Sequence, residues 1–324
     1  MHVIDVGQGA ATLFEFPCAA VLVDTGGEDS STFDSDKVLN DYLSNFFVRR
    51  ADLKRTFAAV FLTHPHIDHS RNLAGVMKRF NVAHLVTNGV ARLPSGALFS
   101  GGQLQEDAEV LATGEKQLRG VRKFHVKPGG LSDDRIDPVD CGKVDPKITA
   151  LWGGMAENSE GWPSPIMTNA NNHSVAIRVE VNGRSMLVTG DLEEAGIEGL
   201  LKLHEGTRAL DVDVYQVGHH GSANGTTEAL LAAMTPCTAV ISMGDPARQD
   251  EWTAWQYGHP RKPVIDLLEK KLNCGRPART VPVATGPRRF YDRTLERAIY
   301  GTGWDGTIWL ELSAGGGWKV TTQK

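Results

Sequence analysis

Short apolar runs separated by turns dominate the first part of the chain. Apolar and β-branched runs of about four to eight residues, bounded by glycine, proline or asparagine, are typical of β-strands. This pattern predicts strands over 3–6, 12–16, 20–24, 57–62 and 83–87. Apolar positions at helical spacing predict one helix over 38–47 and another that starts just beyond His69.

The second half of the chain repeats this succession of strand, polar tip and helix. Strands are predicted over 174–181, 184–188, 212–217 and 239–242. Helices are predicted after Asp191, over 226–234 and around 264–272. Near the end of the chain, two apolar runs at 297–300 and 307–312 flank the turn residues 304–306, which predicts a final β-hairpin.

Residues 91–165 interrupt the pattern with glycines, prolines and charges. Only 122–126 and 148–152 resemble strands there, and the segment is too long for a plain loop in a compact domain. We therefore interpret it as an insertion that decorates a site. No change of composition marks a linker, so the sequence predicts one α+β domain over 1–324.

Composition is ordinary for a globular protein, with 41% hydrophobic and 23% charged residues among 324. The formal net charge of -5 argues against a broadly basic nucleic-acid-binding surface, although a local basic groove remains compatible with it. We expect no signal peptide, because an apolar segment of the required kind is missing near Met1. No run approaches the length of a membrane span.

The cysteines are four widely separated residues without a Cys-x-x-Cys pair. This spacing predicts reduced, mostly buried thiols and, with them, a cytoplasmic protein.

The densest group of chemically active residues is the stretch Thr63-His64-Pro65-His66-Ile67-Asp68-His69. It follows a predicted buried strand, and imidazole nitrogens with a carboxylate oxygen suit Zn²⁺, with Mn²⁺ or Fe as alternatives. A solvated surface loop would not need so many histidines. The stretch is therefore interpreted as half of a metal site.

Candidates for the other half lie on later strand tips. His173 alone is more simply a loop or core residue, and Asp191 alone could be a helix N-cap. A short carboxylate beside Gly190 could equally bridge two cations. The pair His219-His220, at a strand end between glycines, is harder to explain without a function.

These tips, in this order, resemble the metallo-β-lactamase superfamily of metallohydrolases. Within it they are most similar to the soluble hydrolase domain of the DNA-uptake protein ComEC. The motifs that carry the resemblance span all of the chain except about 91–165, and they are Ile4-Asp5-Val6-Gly7-Gln8-Gly9, Val23-Asp24-Thr25-Gly26-Gly27, Thr63 to His69, Asn171 to Ser174, Leu187 to Asp191, His219-His220-Gly221-Ser222 and Tyr257-Gly258-His259-Pro260.

The resemblance implies an αββα sandwich of two mixed β-sheets with helices outside and two metals, taken as Zn²⁺, at one edge. It implies a first metal on His64, His66 and His173. It places a second metal on Asp68, His69 and one residue of the 219–220 pair, with Asp191 as the bridge. His220 is the favoured ligand and His219 a donor to a substrate oxygen, and the reverse order is the alternative.

The implied chemistry is hydrolysis of a phosphodiester by hydroxide formed between the two cations. Asp68 would orient the hydroxide, and His219 or His259 would stabilise charge or protonate the leaving group. Asp5 and Asp24 are expected to position the ligating histidines.

Two departures from the family pattern lie near the expected cleft. Ala10 stands where relatives often have an acidic residue, and Ser70-Arg71-Asn72 replaces a common pair of glycines. Arg71 could add a positive charge beside the metals or simply be a solvated helix residue. Both departures affect substrate preference rather than the metals.

Three functions remain open from the sequence. The first is a ComEC-like phosphodiesterase, with nucleic acid as a candidate substrate. The second is a hydrolase of a small ester, such as a phosphocholine ester, a lactone or a β-lactam. Trp252, Trp255 and Tyr257 bear on this choice, because they could stack bases, enclose a quaternary ammonium or only pack. The third is a non-catalytic binding module on the same scaffold.

Overall fold

Two β-sheets, each with one face against the other, form the centre of the computed structural model, which describes residues 1–113, 120–155, 158, 160–313 and 316–324. The strands of the described residues, in chain order, are β1 (His2–Val3), β2 (Thr12–Glu15), β3 (Ala20–Val23), β4 (Asp29–Ser30), β5 (Phe33–Asp34), β6 (Thr56–Phe61), β7 (Asn81–Thr87), β8 (Arg122–His125), β9 (Lys147–Trp152), β10 (Ala176–Val181), β11 (Arg184–Val188), β12 (Val214–Gln216), β13 (Thr238–Ile241), β14 (Gly275–Gly286), β15 (Arg289–Arg297), β16 (Ile299–Gly301), β17 (Ile308–Leu312) and β18 (Trp318–Thr322).

The helices of the described residues include several that last only one turn. In chain order they are α1 (Ser35–Arg49), α2 (Ile67–Ser70), α3 (Leu73–Arg79), α4 (Gly102–Thr113), α5 (Ser164–Met167), α6 (Glu194–Leu203), α7 (Glu228–Met234), α8 (Ala254–Tyr257), α9 (Lys262–Lys271) and α10 (Thr302–Asp305).

Both large sheets are mixed. The first has the order β18-β17-β1-β2-β3-β6-β7-β8 and is parallel from β3 to β8. The second has the order β16-β13-β12-β11-β10-β9 and is parallel from β11 to β16. Strands β14 and β15 form a separate antiparallel hairpin.

The core is arranged in three apolar layers that follow from alternation along the strands. In β3, Val21 and Val23 face the second sheet, whereas Ala20 and Leu22 face the helices α1 and α3. A third layer packs the outer face of the second sheet against α6, α7 and α9. Helices therefore cover both outer faces, and the predicted αββα sandwich is confirmed.

Most of the predicted elements are present, but the prediction of a last hairpin is wrong. Strand β16 pairs with β13 in the second sheet, and β17 pairs with β1 and β18 in the first. The two runs thus separate into different sheets. Helix α10 joins them.

The segment 91–165 contributes regular structure to both sheets. Strand β8 forms an edge of the first sheet and β9 an edge of the second. Both lie where the sequence favoured strands. The helix α4, which the sequence analysis did not predict, packs between α3 and β8.

The prediction of reduced, mostly buried cysteines is wrong. Cys18 pairs with Cys141 at a Cα–Cα distance of 5.3 Å, and Cys237 pairs with Cys274 at 5.1 Å, both within the normal range for disulfides. None of the four is buried. Sequence spacing conceals such pairs because the folded chain brings distant segments together. The cytoplasmic prediction thereby loses its support from the cysteines, since disulfides persist mainly in oxidising compartments.

Among the described residues, no helix is both long enough and apolar enough to span a membrane.

Candidate metal centre

The candidate site lies where the carboxyl ends of parallel strands from both sheets meet. Strand β3 ends just before Asp24, and β6 leads into Thr63 and His64. From the second sheet, β11 leads to Asp191 and β12 to the pair at 219–220. Carboxyl ends of parallel strands are a usual location for ligand sites, because loops from several strands converge there.

Asp24 fixes the loop that carries the histidines. Its Oδ1 accepts a hydrogen bond from the Thr63 backbone N–H at 2.8 Å, and its Oδ2 accepts from the Thr63 hydroxyl at 2.9 Å. His69 Nδ1 lies 2.8 Å from the same Oδ2. Because Nδ1 donates to a carboxylate, Nε2 is the nitrogen of His69 that faces the cleft and is available to a metal. The expected positioning role of Asp24 is confirmed by these contacts.

The two adjacent histidines after β12 have unusual backbone conformations. His219 and His220 both have φ near +51°, the left-handed region that non-glycine residues rarely occupy and that costs about 1–3 kcal/mol per residue. This turn directs both rings into the cleft. His220 Nδ1 donates to the Ser242 carbonyl at 2.7 Å, so Nε2 is the nitrogen that faces the cleft.

Four side chains converge tightly at this point: Asp68, His69, Asp191 and His220. His69 Nε2 lies 3.2 Å from His220 Nε2 and 3.0 Å from Asp191 Oδ1. His220 Nε2 lies 3.4 Å from Asp191 Oδ2 and 3.3 Å from Asp68 Oδ2. Ligands bound to Zn²⁺ at about 2.0–2.1 Å in a tetrahedron stand about 3.3 Å apart, so this donor set fits a metal ion.

His64 and His66 lie beside this cluster. His64 Nε2 is 3.1 Å from His66 Nδ1 and 4.0 Å from Asp191 Oδ2. Since Thr63 donates its hydroxyl proton to Asp24, it accepts from His64 Nδ1 at 3.2 Å, and His64 Nε2 is left unprotonated. The structure therefore brings six of the seven residues expected to bind metal to one edge.

His173 is the residue that the structure does not bring into the cluster. Its Nδ1 accepts a hydrogen bond from the Met155 N–H at 3.0 Å, and its Nε2 donates to the Met167 carbonyl at 2.9 Å. Both ring nitrogens are thus occupied by backbone groups. The ring is buried and packs beside Phe99 and Trp162. In this arrangement it has no lone pair for a metal.

The ring of His219 is directed towards the metal cluster, whereas the ring of His173 is not. Its Nδ1 lies 3.0 Å from Asn224 Oδ1 and 3.5 Å from Glu193 Oε1, so this nitrogen carries the proton. Its Nε2 is then an acceptor, 3.8 Å from Asp191 Oδ2. A neutral His219 consequently presents a lone pair rather than the donor expected from the sequence.

His259 lies at the rim of the cleft and is held by a residue that the sequence analysis did not assign. The Gln8 carboxamide accepts from the Gly244 N–H with Oε1 and donates to His259 Nδ1 with Nε2, at 3.1 Å. The buried Glu28 carboxylate accepts the Gln8 N–H in turn. His259 Nε2 therefore carries the proton and can donate it. A glutamine between two glycines was the signal available in the sequence.

Asp5 does not position a histidine. Its carboxylate accepts the Gly7 N–H at 3.2 Å and lies 3.7 Å from Lys324 Nζ. Among the described residues it touches no imidazole, so the expectation for Asp5 is wrong. The backbone of Gly7 bends the chain back onto the carboxylate instead.

The electrostatics of the cluster favour a cation. Burial opposes a charge on His220, yet Asp191 and then Asp68 raise its pKa to about 10. Burial lowers the pKa of His64 and His259, with further lowering by nearby histidines, so these two rings are neutral. Neutral imidazole is the form that binds a metal or donates one proton.

Both polar and aromatic side chains line the cleft above the cluster. Asp68, His66 and His259 line it together with Trp252 and Tyr257, whereas Trp255 does not.

The two departures from the family pattern lie around this cleft. Arg71 also lines it, but its guanidinium pairs with Asp29 at 3.0 Å and donates to the Gly27 carbonyl. Ala10 is buried and donates its N–H to the Asp68 carbonyl, behind the metal loop.

Asp24→Asn should lower metal affinity about 10–100-fold while leaving the fold intact. An amide cannot accept all three hydrogen bonds, so the His69 tautomer is no longer fixed. Zn²⁺ titration with a competing chelator measures the effect. Rescue in an Asp24→Glu variant is not expected, because the carboxylate contacts both backbone and ring. Unchanged affinity in Asp24→Asn would remove the positioning role.

A sandwich with helices outside and a histidine–aspartate cluster at one edge defines a metallohydrolase class. The sequence profile of the Metallo-beta-lactamase superfamily matches residues 4–245, more than half of the chain. The chain belongs to this superfamily, whose members are mostly metal-dependent hydrolases.

Curated relatives place the chain in the ComEC-like subgroup. It is 27% identical over 313 residues to ComE operon protein 3 of Bacillus subtilis, covering 93% of this chain and 34% of the relative. It is 26% identical over 257 residues to Recombination protein 2 of Haemophilus influenzae, covering 79% of this chain and 25% of the relative. The chain spans about a third or less of these relatives. The solved structure of the metallo-beta-lactamase fold protein YhfI of Bacillus subtilis is similar over 74% of this chain and 83% of its own, with 10% identity and a TM-score of 0.39.

Proposed function

We propose that the chain is a divalent-metal-dependent hydrolase of phosphodiesters. One observation carries the metal-dependent part: the Nε2 atoms of His69 and His220 face each other at 3.2 Å, while each Nδ1–H is committed to another acceptor. Two imidazole nitrogens at this distance need a positive charge between them, which a proton supplies in the absence of metal and a divalent cation supplies when it displaces that proton. The two adjacent carboxylates of Asp68 and Asp191 complete a donor set for a divalent cation.

We assign the residues to two metals, with Zn²⁺ favoured and Mn²⁺ or Fe as alternatives. One set is Asp68, His69, His220 and Asp191. The other is His64, His66, Asp191 and His219, in which His219 takes the position that the resemblance gave to His173. Bound divalent metals supply Lewis acidity and lower the pKa of water.

The protein residues supply orientation and proton transfer. Asp68 is only partly buried and borders the cleft, so its carboxylate can orient the nucleophile. His259 Nε2–H can donate to a phosphate oxygen or to the leaving oxygen, since Gln8 holds Nδ1 as an acceptor. Asp24 and Ser242 hold the ligating rings in the productive tautomer.

Two observations favour a phosphodiester over a choline-type ester. The aromatic residues do not form a box: Trp255 packs under the Arg288 guanidinium at 5.1 Å, and Tyr257 stacks on His259 at 5.8 Å. Trp252 offers an exposed face to the cleft, but one ring cannot enclose a quaternary ammonium. In addition, the curated relatives are named for competence and recombination, and recombination acts on a phosphodiester polymer.

The test is metal content together with turnover of bis-p-nitrophenyl phosphate. We expect about two metals per wild-type chain, and an Asp68→Ala/His69→Ala variant that retains its fold but loses metal and turnover. The matched control is Asp107→Ala/His125→Ala, which removes the same residue types from the surface. Less than one metal per wild-type chain would contradict the dinuclear assignment. Full metal loading without turnover of any phosphodiester would favour a non-catalytic binding module.

A further inference from the structure

The tip of the β14–β15 hairpin lies directly beside the candidate cleft. The Arg288 N–H donates to the Trp255 carbonyl at 2.8 Å, which attaches the tip to helix α8. A Cβ on Gly258 would stand 2.4 Å from the Gly286 carbonyl oxygen, so the tip packs tightly against the residue before His259. The hairpin lies beyond residues 4–245, which the superfamily profile matches.

Arg288 and Arg289 lie at this tip, and Arg261 lies beside β14, where its backbone is bridged to Ala284. Within the described residues, none of the three arginines of this cluster forms an ion pair. Arg293, on the same strand β15, pairs instead with Asp266 and Glu269.

The cluster is held together against its own repulsion. Arg261 donates to the Tyr257 carbonyl at 2.9 Å, and Arg288 lies over the Trp255 ring. Burial lowers the pKa of Arg261, and the positive charge of Arg289 lowers it further. A bound phosphate would relieve this repulsion, because guanidinium groups bind phosphate oxygens through charge-assisted hydrogen bonds.

An exposed aromatic side chain borders the cleft. Trp252 is 63% exposed and has φ +61°, a strained conformation for a bulky residue. Its ring is 6.4 Å from that of Tyr257, which stacks on His259. His259 stacks on His220 in turn, at 6.2 Å. A continuous series of rings thus leads from the surface to the metal cluster.

We propose that Arg261, Arg288 and Arg289 form a phosphate-binding surface outside the cleft, on which a single nucleic-acid strand lies with a base against Trp252. This inference rests on the proposed function, because it places one phosphodiester of that strand at the metal cluster. Positively charged grooves with exposed aromatic side chains are typical of single-strand binding. The overall negative charge would confine the strand to this surface.

Binding without metal tests the surface separately from catalysis. Protein treated with chelator is titrated into a fluorescent oligothymidylate of about 16 nucleotides, and anisotropy is followed at several salt concentrations. We expect Arg288→Gln/Arg289→Gln to weaken binding about tenfold or more and to reduce the salt dependence by about two phosphate contacts, one for each arginine removed. The control Arg297→Gln removes a charge from the other end of β15, roughly 27 Å away, and should change binding less than about twofold.

Further experiments test which kind of nucleic acid binds to the surface. Trp252→Ala should weaken single-strand binding several-fold and leave binding of a duplex unchanged, because only unpaired bases offer a free face. Comparing the affinity for an oligouridylate of equal length shows whether the surface prefers RNA or DNA. Duplex binding as tight as single-strand binding, or equal effects of the Arg288→Gln/Arg289→Gln and Arg297→Gln variants, would overturn the proposal.

Turnover of bis-p-nitrophenyl phosphate tests the proposed hydrolase function separately from the arginine surface. If the wild type binds the strand through these arginines but hydrolyses no diester, the proposed function fails and the surface stands. If it hydrolyses the diester and the double variant binds the strand normally, only the surface fails.

Discussion

Replacing Asp191 with asparagine is expected to lower kcat/KM for bis-p-nitrophenyl phosphate by about a thousandfold and to release bound metal. The Asp191 carboxylate is buried, with His69 Nε2 at 3.0 Å from one oxygen and His220 Nε2 at 3.4 Å from the other. Asparagine keeps the volume but removes the charge that attracts a cation. Metal ions contribute several kcal/mol of transition-state stabilisation, and about 1.4 kcal/mol corresponds to a tenfold change in rate.

The matched control for this variant is Asp5→Asn. Asp5 is also a carboxylate in a motif loop, but it contacts Gly7 and Lys324 instead of the imidazoles. Its variant should keep metal content and change kcat/KM less than about threefold. Metal analysis and steady-state kinetics measure both proteins. An Asp191→Asn variant that retained both metals and activity would exclude a bridging role, and a large loss in Asp5→Asn would show that the contacts seen here miss a coupling between the two loops.

The sequence allows a good prediction of the cluster because its residues lie on strand ends. Asp68, Asp191 and His220 each follow an apolar run, and runs of this kind can be recognised locally. Where parallel strands end at one edge, the side chains after them meet, so a motif order is enough to predict proximity. The tautomers could not be predicted, since the Ser242 carbonyl that orients His220 comes from a separate strand.

His173 shows why other parts of the site could not be predicted. The groups that occupy its ring come from Met155 and Met167, in and just beyond a segment with a weak sequence pattern. The prediction of a final hairpin was wrong for a related reason. Neighbouring strands usually pair, yet β16 and β17 are drawn to β13 and β1, which are distant in sequence. Competition between local and long-range partners is settled by packing, which the linear pattern does not contain.

The arginine surface was hidden in the same way. Arg261 and Arg288 are 27 positions apart in the chain, and the net charge argues against a broadly basic surface without indicating where a local basic groove would lie. The packing of Gly258 against Gly286 and the hydrogen bond from Arg288 N–H to the Trp255 carbonyl bring the hairpin tip to helix α8. The sequence raised the aromatic residues Trp252 and Tyr257 as candidates, and the structure adds the cations beside them.

Removing the Cys18–Cys141 disulfide is expected to cause the largest loss of stability. The bond joins residues 123 positions apart, linking the turn between β2 and β3 to the segment before β9. A cross-link over such a long loop restricts the unfolded chain, which corresponds to about 5 kcal/mol in the chain-entropy model and to about 2–5 kcal/mol in measured proteins. We therefore expect a Cys18→Ser/Cys141→Ser variant to lose about 2–5 kcal/mol of unfolding free energy in urea.

The Cys237→Ser/Cys274→Ser variant is the matched comparison, because its loop spans only 37 positions and should cost somewhat less. Thiol titration of the denatured wild-type protein, purified without reductant, should find no reactive thiol. Four reactive thiols together with unchanged stability of both variants would restore the original prediction from cysteine spacing. A loss confined to the Cys18–Cys141 pair would instead show that loop length governs the stabilisation, since both pairs lie outside the buried core and differ little in the packing that serine would disturb.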